Sequence, residues 1–224
     1  MSLSRRDGRR MWHCFKASCS TSGSSKTERT AESIKSALSY SNRDATPPPH
    51  TPIPHQLSSA RRHDAAVKYL KNNGCWEAYE AGLVDIRYDP ADRRVIFFMQ
   101  DGQGAVGRTL RGAKPKWKAY GDTSGILRVG SGNVGVIVED AASAASISRL
   151  PFCSGCALLG THVSVQKRRQ LMSFDRLVIA LDKDASKKAV SLKSRFEGRI
   201  DTTVVLLEED LKYLTVQEME ELRI

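Results

Sequence analysis

The chain has 224 residues, of which 40% are hydrophobic, and its formal net charge is +10. This apolar content suffices for a folded core and excludes disorder along the whole chain, while the lack of any run of 18 apolar residues excludes a membrane-spanning helix. The positive charge is concentrated at the front, where residues 1–62 hold eleven Lys or Arg against four Asp or Glu. Such a balance favours a polyanionic partner, most often nucleic acid, although a basic protein without one is the alternative.

The N-terminus and the five cysteines indicate the compartment. No apolar stretch follows the first basic residues, which excludes a secretory signal. An odd number of cysteines outside a secretory context is typical of a reducing environment. We therefore expect a cytoplasmic protein whose thiols are free or bound to metal.

The first 62 residues predict a small hairpin followed by a linker. Two short strands, 2–5 and 9–13, flank an Asp7-Gly8 turn. Residues 21–62 are rich in Ser, Thr and Pro, a composition typical of flexible linkers, with room for one short helix over 28–38.

Residues 63–133 predict a small module of helices and an antiparallel β layer. The pattern indicates helices over 64–72 and 76–81, and strands over 93–99 and 105–109 around an Asp101-Gly102 turn.

From residue 134 to 224, short apolar runs alternate with helical segments. The apolar runs are 135–138, 157–159, 177–181 and 202–207, and the helical segments are 141–149, 164–173 and 185–196. Continuous apolar strands that alternate with helices predict a parallel sheet covered on both faces. The predicted fold class is therefore α/β.

Acidic residues directly follow two of these strands. Glu139 and Asp140 come after the first run, and Asp182 and Asp184 come after the third. Because sites in open parallel sheets form outside the carboxyl ends of the strands, we expect Glu139, Asp182 and Asp184 to meet there. Their mutual repulsion favours a divalent cation, and oxygen ligands suit Mg²⁺ or Mn²⁺. Two alternatives use the same acids, namely capping of the following helices and a phosphoacceptor site like that of receiver domains.

These acids lie in motifs that resemble the Toprim fold of bacterial-type primases, topoisomerases, some nucleases and recombination mediators. The motifs are Gly135-Val-Ile-Val-Glu139-Asp140, Leu158-Leu-Gly-Thr161 and Val178-Ile-Ala-Leu-Asp182-Lys-Asp184. The resemblance spans about residues 134–210. It implies that Glu139, Asp182 and Asp184 are catalytic and hold Mg²⁺ or Mn²⁺.

Upstream residues resemble the segment that precedes Toprim in DnaG-like primases. The matching stretches are 94–99, Asp101-Gly102, Gly107-Arg108-Thr-Leu and Lys114-Pro-Lys-Trp-Lys-Ala-Tyr-Gly121. The form Val-Glu-Asp-x-x-Ser-Ala at 138–144 resembles phage primases more than cellular ones. Many primases carry a further Asp four residues after the Glu, where this chain has Ser143, so the number of metal ions stays open.

A basic stretch with interleaved aromatic residues precedes the predicted parallel sheet. Residues 107–118 contain no acid and five bases: Arg108, Arg111, Lys114, Lys116 and Lys118. Bases neutralise phosphates, and aromatic side chains such as Trp117 and Tyr120 can stack on the bases of a single strand. With the resemblance, we expect Arg108, Lys114, Lys116 and Trp117 to contact template or nucleotide. The alternative is a solvated loop with Trp117 in the core.

A second basic run, Lys167, Arg168 and Arg169, lies in a predicted helix. For this run the favoured interpretation is a solvated helix face.

The cysteines form two pairs and one single residue. Trp12-His13-Cys14-Phe15-Lys16-Ala17-Ser18-Cys19 follows the first hairpin and resembles the second half of the zinc ribbon at the front of such primases. A closed zinc site takes four ligands, and the resemblance places the first pair upstream of Met1, so Cys14 and Cys19 alone are not expected to hold zinc. Cys153 and Cys156 could complete a four-cysteine site, but two buried or loop thiols are favoured. Cys75 is expected to be a packing residue.

The resemblance as a whole implies a phage-type DNA primase in the cytoplasm of a bacterial host. Such an enzyme is a DNA-directed RNA polymerase that makes short RNA primers on single-stranded DNA from ribonucleotides, by metal-assisted nucleotidyl transfer. The sequence contains no Gly-x-x-x-x-Gly-Lys-Ser/Thr motif, so a separate replicative helicase is the expected partner. The alternatives are a Toprim nuclease or recombination mediator, and a non-catalytic accessory that binds single-stranded DNA.

Overall fold

The computed structural model describes residues 50–160 and 163–224, together with the backbone of three short strands near the N-terminus. The chain divides into two units, Met1–Pro48 and Pro49–Ile224. Among the described residues, no helix has the length and apolar character that crossing a membrane requires.

The first unit contains an antiparallel sheet of three strands, β1 (Ser2–Arg6), β2 (Arg9–His13) and β3 (Ser22–Lys26), in the order β1-β2-β3. The pairing of β1 with β2 agrees with the hairpin predicted from the sequence. Strand β3 falls within the predicted linker, so the start of that segment is a β-strand and not a flexible connection. Cys14, Cys19 and the helix predicted over 28–38 lie outside the described residues.

The second unit begins before the predicted boundary at residue 63. The backbone N–H of Gly121 donates to the carbonyl of Thr51 at 2.8 Å, and β4 (Ser58–Ser59) pairs with a strand of the following sheet. Ala60, in the 3₁₀ turn Ala60–Arg62, is fully buried. The end of the predicted linker is therefore part of the folded domain, because its backbone and Ala60 pack against that domain.

The first part of this unit pairs two helices with an antiparallel sheet. The helices are α1 (Asp64–Asn72) and α2 (Trp76–Glu80), and the sheet adds to β4 the strands β5 (Ile86–Asp89), β6 (Arg94–Phe98), β7 (Gly104–Thr109) and β8 (Trp117–Gly121). The sheet order is β4-β5-β6-β7-β8. The predicted helices and the β6–β7 hairpin are confirmed. Strands β5 and β8 are additions, and β8 occupies the end of the basic stretch.

The rest of the unit is a five-stranded, mainly parallel sheet with helices, which confirms the α/β class. Its elements are β9 (Leu127–Val129), β10 (Val134–Val138), α3 (Ala141–Ile147), β11 (Cys153–Ala157), α4 (Val165–Leu171), β12 (Arg176–Asp182), α5 (Ser186–Lys193), β13 (Asp201–Leu207) and α6 (Val216–Glu221). The order is β13-β12-β10-β11-β9, with β9 antiparallel at one edge. The sequence did not predict β9.

Both faces of this sheet are buried, as the apolar runs predict. Along β10, Val136 and Val138 pack in a core with α1, α3 and the antiparallel sheet, whereas Ile137 packs in a second core with α4 and α5. This alternation follows from the two-residue period of a strand. It fixes which side of the sheet each residue at a strand end faces.

The second parallel strand lies earlier than predicted. It spans Cys153–Ala157 and not 157–159. The central residue of this strand is a glycine because α3 crosses the strand closely. A Cβ on Gly155 would lie 2.0 Å from the carbonyl oxygen of Ala144. A glycine in a strand is typical of such a close approach.

This close approach gives a prediction about the fold. Gly155→Ala should lower the free energy of unfolding by about 1–3 kcal/mol or more, because the methyl group would push against the backbone of α3. Denaturant unfolding measures it. Gly125→Ala is the control, since its added Cβ would meet only the end of the Gln170 side chain. Equal stability of the two variants would contradict the close packing.

A candidate active site at the carboxyl ends of the parallel strands

Carboxylates from three strand ends surround one cavity of about 270 Å³. Glu139 follows β10, Asp182 ends β12, and Asp210 lies in the loop after β13. Asp184 does not line the cavity but lies in the 3₁₀ turn Lys183–Ala185, and its charge acts on Asp182. The structure thus brings Glu139 and Asp182 together at the sheet edge, with Asp184 beside them.

Asp140 has a capping role, as the alternative for strand-end acids predicts. Its Oδ1 accepts a hydrogen bond from the backbone N–H of Ser143 at 2.8 Å, which caps α3. Its Oδ2 accepts from Lys212 Nζ at 3.1 Å. Both oxygens of Asp140 are therefore engaged by the protein.

Two further residues line the cavity that the sequence analysis does not single out, Asp210 and Lys212. For Asp210 the sequence does contain a signal. Strand β13 runs into Glu208, Glu209 and Asp210, so it also ends in acids, as β10 and β12 do. Lys212 is mostly buried, with its side chain 10% exposed, and it pairs with both Asp140 and Asp210. Nothing in the sequence pattern indicates that contact.

Burial and the crowding of carboxylates together raise the pKa of Asp182 to about 6. Burial is the largest cause, followed by the charge of Asp210 and a hydrogen bond between the two carboxyls, with smaller contributions from Glu139 and Asp184. Burial also acts on Asp210, but its hydrogen bond and ion pair with Lys212 outweigh it and lower the Asp210 pKa. Near neutral pH the pair thus holds a proton on Asp182 more readily than an isolated carboxyl would.

The other acids at this edge are neutralised unevenly. Lys188 Nζ on α5 lies 2.9 Å from Glu139 Oε1, and Lys183 pairs with the exposed Glu208 at 2.6 Å. Lys183 is therefore paired with an acid that does not line the cavity. Within the described part of the chain, Asp182 and Asp184 have no ion pair with a base.

The donor chemistry of the cavity suits a hard divalent cation that takes few of its ligands from the protein. Among the side chains that the structure describes, no three His, Cys, Asp or Glu converge as a ready-made metal group. Mg²⁺ is usually held by one or two carboxylates together with waters and substrate phosphates. Asp182 fits this role, because a nearby cation would favour its charged form, which burial and the neighbouring carboxylates disfavour.

The basic stretch reaches the same cavity. Lys116 and Trp117 line it together with the acids. The Trp117 ring is half-buried, lies 6.0 Å from Phe97 and carries the Arg108 guanidinium at 5.6 Å from its centroid. Lys114 and Lys116 are exposed. Trp117 is thus part of the packing and also forms part of the cavity wall.

A buried arginine fixes the loop that carries these lysines. Arg94 on β6 donates to the carbonyls of Gly107 and Pro115, each at 3.1 Å. Position 107 requires a glycine, because a Cβ there would lie only 2.9 Å from the Tyr120 ring. Lys114 and Lys116 are therefore carried on a loop tied to the sheet.

A second cavity of about 300 Å³ adjoins the first. It shares Trp117, Glu139 and Asp140 with the first cavity, and Val106 and Leu159 are among its apolar walls. An apolar space next to carboxylates and lysines suits a ligand with a flat ring attached to a charged group.

The cysteine pair of β11 cannot bind one metal ion in this fold. Cys153 and Cys156 are three residues apart in a strand, so they face opposite sides of the sheet, and each packs in a different core. Burial raises the pKa of the Cys156 thiol to about 12. Cys75 is also buried, and its Sγ donates to the carbonyl of Asn73 at 3.2 Å. All three are packing residues, as favoured from the sequence.

The run at 167–169 differs in part from the solvated helix face that the sequence predicts. Lys167 is buried, and its Nζ donates to the carbonyl of Leu158 at the end of β11. Arg168 and Arg169 are exposed, as predicted. Lys167 faces inward because α4 packs that side against the sheet end.

No protein-family model and no curated protein matches the sequence. Solved structures similar to this chain include the zinc-binding and RNA polymerase domains of the Aquifex aeolicus primase, with 20% identity over 87% of this chain and 55% of that one, at a TM-score of 0.48. They also include the DnaG catalytic core (16% identity, 78% and 63% covered, TM-score 0.47) and the RNA polymerase domain of Mycobacterium tuberculosis primase DnaG (17%, 87% and 76%, TM-score 0.46). The chain spans between about half and three quarters of these proteins. At such identities and scores the likeness identifies no activity.

The raised pKa of Asp182 predicts a pH-dependent stability. Because the folded carboxyl titrates near 6 and the unfolded one near 4, the folded state binds more protons between these values, and the free energy of unfolding falls as pH rises through this window. Asp182→Asn removes the effect. Without divalent cations, the variant should melt at a higher temperature than wild type at about pH 8, with the difference shrinking towards about pH 4. Asp175→Asn, at an exposed turn outside the cavity, is the control.

A melting difference between Asp182→Asn and wild type that stays constant from about pH 4 to about pH 8 would show that the pKa of Asp182 is not raised in the folded protein.

Proposed function

We propose that this chain is a DNA primase of the DnaG-like, phage type, which makes short RNA primers on a single-stranded DNA template. The observation that carries the proposal is the cavity in which Glu139, Asp182 and Asp210 lie beside Lys116 and Trp117. Carboxylates and bases that line one cavity suit a triphosphate, which needs cations on its oxygens. The Toprim-like motif positions of Glu139, Asp182 and Asp184 add to this assignment.

Glu139, Asp182 and Asp184 are the proposed ligands of Mg²⁺ or Mn²⁺, and Asp210 is a further oxygen donor beside them. When bound, the cation would offset the negative charge of the triphosphate and orient the attacking 3′-hydroxyl. Asp182 and Asp184 suit this role because, in the described structure, no base pairs with either of them. Glu139 would have to release Lys188 to take part.

The lysines of the cavity have a proposed role in binding phosphate and template. Lys116 is exposed at the cavity wall, and Lys212 is held in place by Asp140 and Asp210. Lys114 and Arg108 extend the positive charge along the loop and β7. The apolar second cavity next to Trp117 offers room for a base ring. A separate helicase remains the proposed partner, on the resemblance alone.

A non-catalytic accessory that binds single-stranded DNA is the second candidate. One observation favours it: Lys188 and Lys212 already neutralise Glu139, Asp140 and Asp210. Such pairs would allow the acids to persist without a metal ion. Primer synthesis separates the two candidates, since the accessory would bind DNA and make no RNA.

The acids predict the outcome of a primer-synthesis assay. With single-stranded DNA, ribonucleotides and Mg²⁺ or Mn²⁺, wild type should make short RNA, and Asp182→Asn or Asp184→Asn should reduce it by about a hundredfold or more, because the cation loses a charged ligand. Asp175→Asn should keep wild-type activity. RNA synthesis at the wild-type rate by both site variants would refute the proposed metal site, and DNA binding without synthesis by wild type would favour the accessory.

The basic loop predicts a change in salt dependence. Lys114→Ala with Lys116→Ala should weaken binding of single-stranded DNA and reduce the slope of log affinity against log salt by about 0.7 for each phosphate that the variant no longer neutralises. Fluorescence anisotropy at several salt concentrations measures the slope. Arg168→Ala with Arg169→Ala, on the exposed side of α4, is the matched control. If both pairs change the slope equally, the loop has no specific role in template binding.

A further inference from the structure

A small groove lies beside α5, on the side of the helix that reaches the acid cavity. Its volume is about 90 Å³, and we call it the α5 groove. Three apolar residues and three polar residues line it: Leu158, Val163, Leu192, Lys188, Ser191 and Arg195. All the polar groups can donate hydrogen bonds, and none of the lining residues is acidic.

The polar residues form one stripe that starts at the candidate active site. Lys188 and Ser191 are three residues apart on α5, a spacing that places their side chains on one side of the helix. Arg195 lies in the turn that follows α5 and lines the same groove. Lys188 Nζ bonds to Glu139, so the stripe begins at the cavity of acids and leads away from it. Lys187 lies next to the stripe and is exposed, whereas Lys193 lies about 140° around the helix from Lys188.

The positive charge of this region is only partly balanced. Residues 183–199 contain six Lys or Arg against Asp184 and Glu197. Lys183 and Lys188 have acidic partners, but within residues 50–160 and 163–224 no ion pair involves Lys187 or Arg195. Residues 208–221, by contrast, contain six acids and one base. A polyanion near the cavity is therefore attracted to α5 and repelled by the segment after β13.

The size of the groove limits its ligand. A cavity of 90 Å³ is far below the roughly 300–1,000 Å³ of small-molecule sites, so it does not hold a whole nucleotide. A guanidinium, an ammonium group and a hydroxyl are the groups that proteins commonly place on phosphate oxygens. The chemistry fits single phosphates of a chain that continues beyond the groove.

We propose that the α5 groove and the adjacent Lys187 form a second nucleic-acid contact, which holds the phosphate backbone of a strand next to the acid cavity. This inference rests on the proposed function and adds a contact that is separate from the basic loop at Lys114 and Lys116. The backbone has two possible sources, the single-stranded template and the hybrid of template and new RNA.

The test compares two surface variants of α5 in binding experiments. Lys187→Gln with Arg195→Gln removes one exposed base that lines the groove, Arg195, and one beside the stripe, Lys187, whereas Lys193→Gln removes one farther around the helix. Affinity is measured by anisotropy against salt, for single-stranded DNA and for an RNA–DNA hybrid. The double variant should bind about tenfold more weakly at about 50 mM salt, with a slope on single strands reduced by about 1.4, whereas Lys193→Gln should match wild type.

The two substrates identify the source, and primer synthesis separates the two proposals. Weaker binding of single-stranded DNA assigns the groove to the template, and weaker binding of the hybrid alone assigns it to the product duplex; either result supports the contact. An unchanged slope with both substrates, or an equal decrease in Lys193→Gln, overturns it, and primer synthesis by wild type in that case leaves the proposed function standing. Wild type that binds neither substrate and makes no RNA overturns both. Unchanged melting temperatures exclude unfolding as the cause.

Discussion

Repulsion between carboxylates is the constraint on which this site depends. Parallel strands end at one edge of the sheet, so acids that follow different strands are brought together whether or not a counter-charge is present. Burial, and after it that repulsion, raise the pKa of Asp182. Two lysines from later elements relieve the repulsion in part, and the remaining negative charge is what makes the edge suitable for a divalent cation.

The fold places positive charge around this edge in an ordered way. The antiparallel sheet contributes Lys116 through a loop that Arg94 fixes from inside, and α5 contributes Lys188 from the other face. Strict alternation along β10 and β12 sets these directions, since consecutive residues face different cores. Acids in the centre with bases on two sides are suited to a ligand that is a polyanion and needs a cation.

The sequence predicted those features that depend on local pattern. Strand-terminal acids at Glu139 and Asp182 and the α/β class follow from periodicity, whereas the contacts of Lys188 and Lys212 join residues 49 and 72 positions apart and leave no local signal. Strand β11 was misplaced because Gly155 and its small neighbours reflect close packing of α3, which only the tertiary structure reveals. Strand β8 has no clear signal in the sequence, because Lys118 and the preceding Lys114, Pro115 and Lys116 are typical of a loop.

A bound divalent cation at the carboxyl ends of the parallel strands can be located directly by metal-directed cleavage of the backbone. Fe²⁺ can replace Mg²⁺ in oxygen-ligand sites, and with ascorbate and peroxide it generates hydroxyl radicals that cut the backbone nearby. Cuts are expected next to Glu139, Asp182 and Asp210, and they should be suppressed by excess Mg²⁺ and absent in Asp182→Asn with Asp184→Asn. Cuts elsewhere in the chain, or cuts at these positions that persist in the double variant, would contradict a metal site at the carboxyl ends of the strands.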